Sequence, residues 1–186
     1  MKIILVRHGE TEYNRKSLVQ GRSNIPLNDN GKLDALKTAN ALKKSNIKFD
    51  LIYSSPSARA FETANIIKKE LNLDYEIIKD EHFFERNFGP YEAKKVKDVF
   101  PIKIETGDYE NDQAIIKRVN EGIKNLYLKH SKQTILIACH SHTIKSILIK
   151  MNPNTFNFRT FIKNGAIFIL KYNGNSYKII NELNNQ

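Results

Sequence analysis

Ile3-Ile4-Leu5-Val6-Arg7-His8-Gly9-Glu10-Thr11 is the stretch whose reading decides the fold. Four branched apolar residues in succession predict a strand buried on both faces, and the run stops at an arginine, a histidine and a glycine. In open α/β sheets ligands occupy the crevice at the carboxyl ends of parallel strands, so a strand that delivers Arg-His-Gly there marks a candidate site. Taken by itself, the pair Arg7-His8 fits an ordinary basic turn equally well.

Outward from that strand, Glu12 to Asn30 is polar, holds Gly21, Pro26 and an Asn-Asp-Asn-Gly cluster, and reads as a long loop. Leu33, Leu36, Ala39 and Leu42 recur at helical spacing over Lys32 to Lys44. Phe49 to Tyr53 predicts a short strand broken by Ser54-Ser55-Pro56-Ser57, and Ala58 to Leu71 a helix capped by Ser57, with Arg59 in its first turn. Tyr75 to Ile78 reads as a third strand. From about residue 79 to 112 no period persists; this irregular, lid-like excursion carries six aromatic residues and one short helix near Ala93 to Val99. A helix over Ala114 to Leu128 presents Ile115, Val119, Ile123 and Leu126 on one face. Thr134 to Ala138 predicts a strand ending at Cys139-His140-Ser141-His142, followed by a helix to Lys150. Ala166 to Tyr172 and Tyr177 to Ile180 around Asn173-Gly174-Asn175 predict a hairpin. This order predicts one domain over residues 1–186: an α/β fold of three layers (α/β/α), with a mostly parallel sheet and an antiparallel C-terminal hairpin.

The 186 residues suffice for one core, and the absence of a long apolar run or of a cleavable leader pattern predicts a soluble, cytoplasmic protein with no membrane partner. A single cysteine, Cys139, fits a reducing compartment. The net charge of +10 raises a nucleic-acid reading, but only seven arginines occur and the lysines are scattered among acids, so no nucleic-acid partner is expected. His140-Ser141-His142 beside Cys139 lacks further ligands at a recognisable spacing, so neither a metal nor another cofactor is predicted. Cys139 and Lys145 stand at nearly the spacing of a cysteine phosphatase loop, without its terminal arginine or its glycines. His82 and His130 read as surface residues. The aromatic excursion reads as a packed lid in preference to an aryl pocket.

Three strand ends then offer one chemistry: Arg7 and His8, Arg59, and His140. In a parallel sheet these open on the same side, where two helix N-termini and two arginines favour a bound phosphoryl group.

These residues resemble the histidine phosphatase superfamily, which includes phosphoglycerate mutases and many small phosphatases. Arg7-His8-Gly9-Glu10-Thr11 matches its signature, followed by Asn14, Gln20-Gly21 and Leu27 through Gly31. Ser54 to Ala60 with Thr63-Ala64 matches a second block, Glu85 with Phe88-Gly89-Pro90-Tyr91-Glu92 a third, and His140 the last. The resemblance spans about residues 1 to 150. It implies metal-free phosphoryl transfer in which His8 becomes a phosphohistidine, Arg7, Arg59 and His140 hold the phosphoryl oxygens, and Glu85 gives a proton to the leaving group. It further implies substrate contacts from Asn14, Gln20, Gly21 and Ser141. Ser141 stands where the family usually has glycine, Tyr91-Glu92-Ala93 where many members have Trp-Glu-Gly, and Asn111 where serine is frequent. The short chain looks most like the small bacterial phosphatases acting on a phosphorylated small molecule, as monomer or homodimer. A 2,3-bisphosphoglycerate-dependent mutase and a catalytically weak phospholigand-binding regulator are the alternatives.

Overall fold

The computed structural model describes residues 1–102 and 106–183. Its elements are β1 (Lys2–Arg7), α1 (Glu12–Arg15), α2 (Asp29–Lys44), β2 (Leu51–Ser54), α3 (Ala58–Glu70) and β3 (Ile77–Lys79). After two short 3-10 turns come α4 (Val96–Val99), α5 (Asp112–His130), β4 (Thr134–Cys139), α6 (Ser141–Met151), β5 (Ile167–Tyr172) and β6 (Tyr177–Leu183). Six strands form one sheet in the order β3-β2-β4-β1-β5-β6; the first four are parallel, and β5 and β6 run antiparallel to their neighbours. The expected three-layer α/β fold with its C-terminal hairpin is the one observed.

The continuous apolar character of β1 follows from its place between β4 and β5, with helices over both faces. Ile3 and Leu5 pack with Ile135, Ile137 and the buried face of α5 and α6, including Ile115, Val119, Ile123 and Ile147. Ile4 and Val6 point the other way and pack with Leu136, Ala138 and, from α2 and α3, Ala39, Leu42, Ala64 and Ile67. At the hairpin turn Gly174 takes a φ of +99°, a backbone region L side chains rarely adopt.

Several local expectations are corrected. Helix α2 starts at Asp29, one turn before the apolar pattern, because Asn28 accepts the Gly31 N–H at 2.8 Å; the Asn-Asp-Asn-Gly cluster is its first turn, not loop. Its buried face is Gly31, Ala35, Thr38, Ala39 and Leu42, and Leu33 is exposed. A Cβ on Gly31 would stand 2.0 Å from the Glu10 carbonyl oxygen, and one on Gly9 2.1 Å from the Gly31 oxygen. The loop after β1 therefore lies directly on α2, and small residues rather than leucines face it. Ser57 sits at the start of α3 without capping it; Asn24 Oδ1 accepts the Ala58 N–H at 2.7 Å instead. The polar stretch after β1 is not all loop, since Thr11 caps the one-turn helix α1. Strand β3 begins at Ile77 rather than Tyr75. His130 is half-buried, between Gln133 and the Tyr53 hydroxyl, and His82 bonds Asp80.

Candidate active site

The register Arg7↔Cys139 between β1 and β4, continued by His8 N–H to the Cys139 carbonyl at 3.0 Å, sets His8 beside His140. Their ring centroids are 5.1 Å apart, edge to face. On the other side of β4, Ser55 N–H bonds the Ala138 carbonyl and aims the Ser55 hydroxyl at His140 Nε2, 2.8 Å away. Arg59, wholly buried in the first turn of α3, reaches back across the same strand ends. Three loops thus converge because three neighbouring parallel strands end together.

The ring of His8 is fixed in one tautomer. Nδ1 lies 2.7 Å from the Gly9 carbonyl, which can only accept, so Nδ1 carries the hydrogen. Nε2 then holds the lone pair, and Arg59 Nε donates to it at 3.3 Å. Burial, together with the positive charges of Arg59 and Arg7, holds His8 well below the usual histidine range, so it is neutral at pH 7. Burial and the same arginines lower His140 as well. Arg59 also donates to the carbonyls of Ser23 and Gly21, each at 2.8 Å, and burial pushes its guanidinium down to about 10, still charged at neutral pH.

A cavity of about 310 Å³ lies beside Arg7 and Glu85, lined on its polar side by these two and by Asn14, Gln20, Ser141, His142 and Lys145. Phe88, Phe100 and Phe158 help form its apolar side. The aromatic excursion divides between core and cavity wall: Phe83 is core, while Phe88 packs on Val19 and Val99 and also faces the cavity. Arg7 donates through Nη1 to the Ile162 carbonyl, and among the described residues its buried Nε meets no acceptor; nor does Gln20 Nε2. Buried donors of this kind are costly unless an acceptor arrives. The Asn14 oxygen is tied to Thr11, whose hydroxyl also bonds Gln20 Oε1 at 2.8 Å, so each amide oxygen is already engaged within the protein. Gly21 does not line the cavity: its carbonyl holds Arg59, and a Cβ there would lie 2.2 Å from the Arg86 carbonyl oxygen.

Glu85 is buried in a segment without regular structure, yet firmly held. Oε1 accepts the Arg86 N–H at 2.8 Å and Oε2 the His142 N–H at 3.2 Å. The second of these corrects an expectation, since the first turn of α6 offers that amide to Glu85 and not to a bound anion, just as Asn24 takes one from α3. The segment itself is clamped by Arg118 of α5, which donates to the carbonyls of His82 at 2.8 Å and Phe84 at 3.1 Å and makes a two-pronged pair with Glu110. Glu110 in turn accepts the Asn87 N–H. Arg118→Met removes the ion-pair partner of Glu110 and the side-chain donor to the His82 carbonyl, while Phe84 keeps Thr143 and Glu110 keeps the Asn87 N–H; a loss of about 2 kcal/mol is expected, lowering Tm by about 4–8 °C. An unchanged Tm would show that the clamp does not hold the loop.

Residues that sequence reasoning missed come mostly from far along the chain. Asn164 Nδ2 donates to the His8 carbonyl at 3.1 Å, and Thr63 Oγ1 accepts the Gly9 N–H at 3.3 Å. His142 and Lys145 enter the cavity wall from α6, where a lysine among Ile144, Ile147 and Leu148 was the available signal. Among the described residues no three His, Cys, Asp or Glu side chains gather as a metal site, and no helix is long and apolar enough to cross a membrane.

A parallel sheet whose strand ends bring two arginines against a neutral, tautomerically fixed histidine defines a phosphoryl-handling α/β protein. The chain belongs to the histidine phosphatase superfamily (branch 1), whose family model matches residues 3–186 and so takes in the C-terminal hairpin as well. It is 34% identical over 160 residues to putative phosphoserine phosphatase 2 of Hydrogenobacter thermophilus, covering 79% of this chain and 76% of that one. It is 27% identical to the 2,3-bisphosphoglycerate-dependent phosphoglycerate mutase of Bartonella henselae, with 80% of each chain covered. Among solved structures, a mutant phosphoserine phosphatase from Entamoeba histolytica in complex with phosphoserine superposes with a TM-score of 0.83 at 25% identity, covering 100% of this chain and 98% of the other.

Proposed function

We propose that this phosphatase is a metal-independent phosphomonoesterase for small phosphorylated metabolites, working through a phosphohistidine on His8. The observation that carries the reading is the His8 ring, whose Nδ1–H is spent on Gly9 and whose Nε2 lone pair faces Arg59 beside Arg7. In the first step Nε2 attacks phosphorus in line, the N–P bond forms, the ester P–O bond breaks, and Glu85 in its acid form protonates the departing oxygen. In the second, Glu85 as carboxylate takes a proton from water, whose oxygen displaces phosphate from His8. The long Arg59 bond to Nε2 is released as phosphorus arrives, freeing that N–H for a phosphoryl oxygen, while Arg7 Nε and Gln20 Nε2 supply further donors. Ser55 keeps the His140 ring against the same oxygens. Among the substrate contacts expected from the sequence, Asn14, Gln20 and Ser141 remain in this assignment; Gly21 acts through Arg59.

The names of the relatives support phosphatase chemistry and also raise a mutase. A panel of phosphorylated metabolites assayed with excess EDTA, with and without 2,3-bisphosphoglycerate, separates them. Phosphate release that resists EDTA and needs no bisphosphate is expected. Strict dependence on added metal would overturn the reading, and isomerisation of monophosphoglycerates only with bisphosphate would establish the mutase.

A further inference from the structure

Lys145 occupies an expensive position. It lies on α6, one turn after Ser141, and is only 8% exposed. Its Nζ donates to the Phe158 carbonyl at 2.9 Å, and among the described residues no carboxylate pairs with it. An ammonium has three donors, so two remain. Burial pushes the group down to about 8, opposed by Glu85 and reinforced by Arg7 and Arg86. It therefore remains mostly charged at neutral pH. Burying such a charge without a counter-ion costs folding free energy, and placing it near two guanidinium groups adds to the cost.

The surroundings show what would offset it. Lys145 lines the same cavity as Arg7 and Glu85, together with the exposed Arg159 and with His142, whose buried Nδ1 has no partner among the described residues. The space between these polar groups is walled by Leu18, Val19 and Phe88. A ligand that fits has a phosphoryl group at the Arg7 end, a short carbon skeleton, and a second, compact anion for the two free Lys145 donors.

Resting on the phosphatase reading above, we propose that Lys145 is a specificity-determining residue that binds a carboxylate on the leaving group, so that the preferred substrates are phosphomonoesters of small hydroxy acids. Lys145 acts on the part of the substrate that departs and takes no proton in the reaction.

The test compares two substrates that differ only at that group, 3-phosphoglycerate and glycerol 3-phosphate, in the wild-type chain, Lys145→Met and Lys145→Arg. The ratio of their kcat/KM values is expected to favour the acid in the wild type and to fall tenfold or more in Lys145→Met. Most of that fall should come from KM for the acid, and Lys145→Arg should recover part of the preference. Equal losses on both substrates would assign Lys145 to the phosphoryl end or to structure, and an unchanged ratio would remove it from recognition; either outcome overturns the proposal. If Lys145→Met melts early, the Lys145→Arg ratio and the wild-type preference still decide. A wild-type chain that hydrolyses neither ester at any concentration refutes the phosphatase reading itself, which is a different result.

Discussion

His8→Ala is expected to lower kcat/KM for any phosphomonoester by about four orders of magnitude or more, equivalent to about 5.5 kcal/mol of barrier. The size follows from the role, since no other side chain in the site presents an unprotonated nitrogen with its ring anchored by a backbone carbonyl and its lone pair beside two arginines. His140 sits 5.1 Å away, but its Nε2 is engaged with Ser55. Substrate binding should survive, because Arg7, Arg59 and Gln20 remain, so the variant is expected to bind inorganic phosphate within a few-fold of wild type. Steady-state kinetics together with a phosphate titration check this. A loss of less than tenfold would mean that phosphorus is attacked by something other than His8.

Acid should unfold this chain earlier than its carboxylates alone would dictate. Burial is the first cause of lowering in His8, His140 and His142 alike, with neighbouring cations adding to it: Arg59 and Arg7 for the first two, and Lys145, Arg86 and Arg7 for His142. In the unfolded chain each returns to about 6.5. The unfolded state therefore binds more protons below that pH, and stability rises with pH across the window. The contribution is complete above about 6.5 and is lost as pH falls from there toward the lower folded values. Each histidine contributes a limiting slope of about 1.4 kcal/mol per pH unit, so the three together approach about 4 kcal/mol per unit, against a total stability of about 5–15 kcal/mol. Denaturant melts at about pH 7.5, 6.5, 5.5 and 5.0, values that bracket the unfolded histidine pKa, should show a flat upper limb and a steep lower one. His8→Ala should remove close to one proton's worth of that slope. A flat profile down to pH 5 would mean that the rings are charged, or reached by water, in the folded state.

What the sequence revealed and what it hid divide along physical lines. Strands β1 and β4 were legible because strands covered on both faces must be continuously apolar, and Arg7, His8 and His140 were legible because polarity appears abruptly where those strands end. In helix α2 the leucine spacing marks Ala39 and Leu42 correctly as core but misses its N-terminal half, where there is no room for leucine: Gly31 meets the Gly9–Glu10 backbone, Ala35 is buried and Leu33 is left outside. Glu85 was found by its motif, but no local pattern shows how an irregular segment is held. That depends on Arg118 and Glu110, which flank it in space from positions 33 and 25 residues further on. Asn164 and the Ile162 carbonyl, which steady His8 and Arg7, come from a stretch with no periodicity at all. Lys145 has no motif around it, since the Cys139 to Lys145 spacing lacks the glycines and arginine of a cysteine phosphatase loop, and only the fold reveals its burial in the cavity wall.

The most direct test of the account is to trap the phosphoenzyme. The wild-type chain, mixed with excess phosphorylated substrate and quenched in alkali within one turnover, should yield a base-stable, acid-labile phosphoryl group on the peptide containing His8, and His8→Ala should yield none. Multiple turnovers without any trapped phosphoryl group, or a stable label on His140, His142 or Cys139, would contradict it.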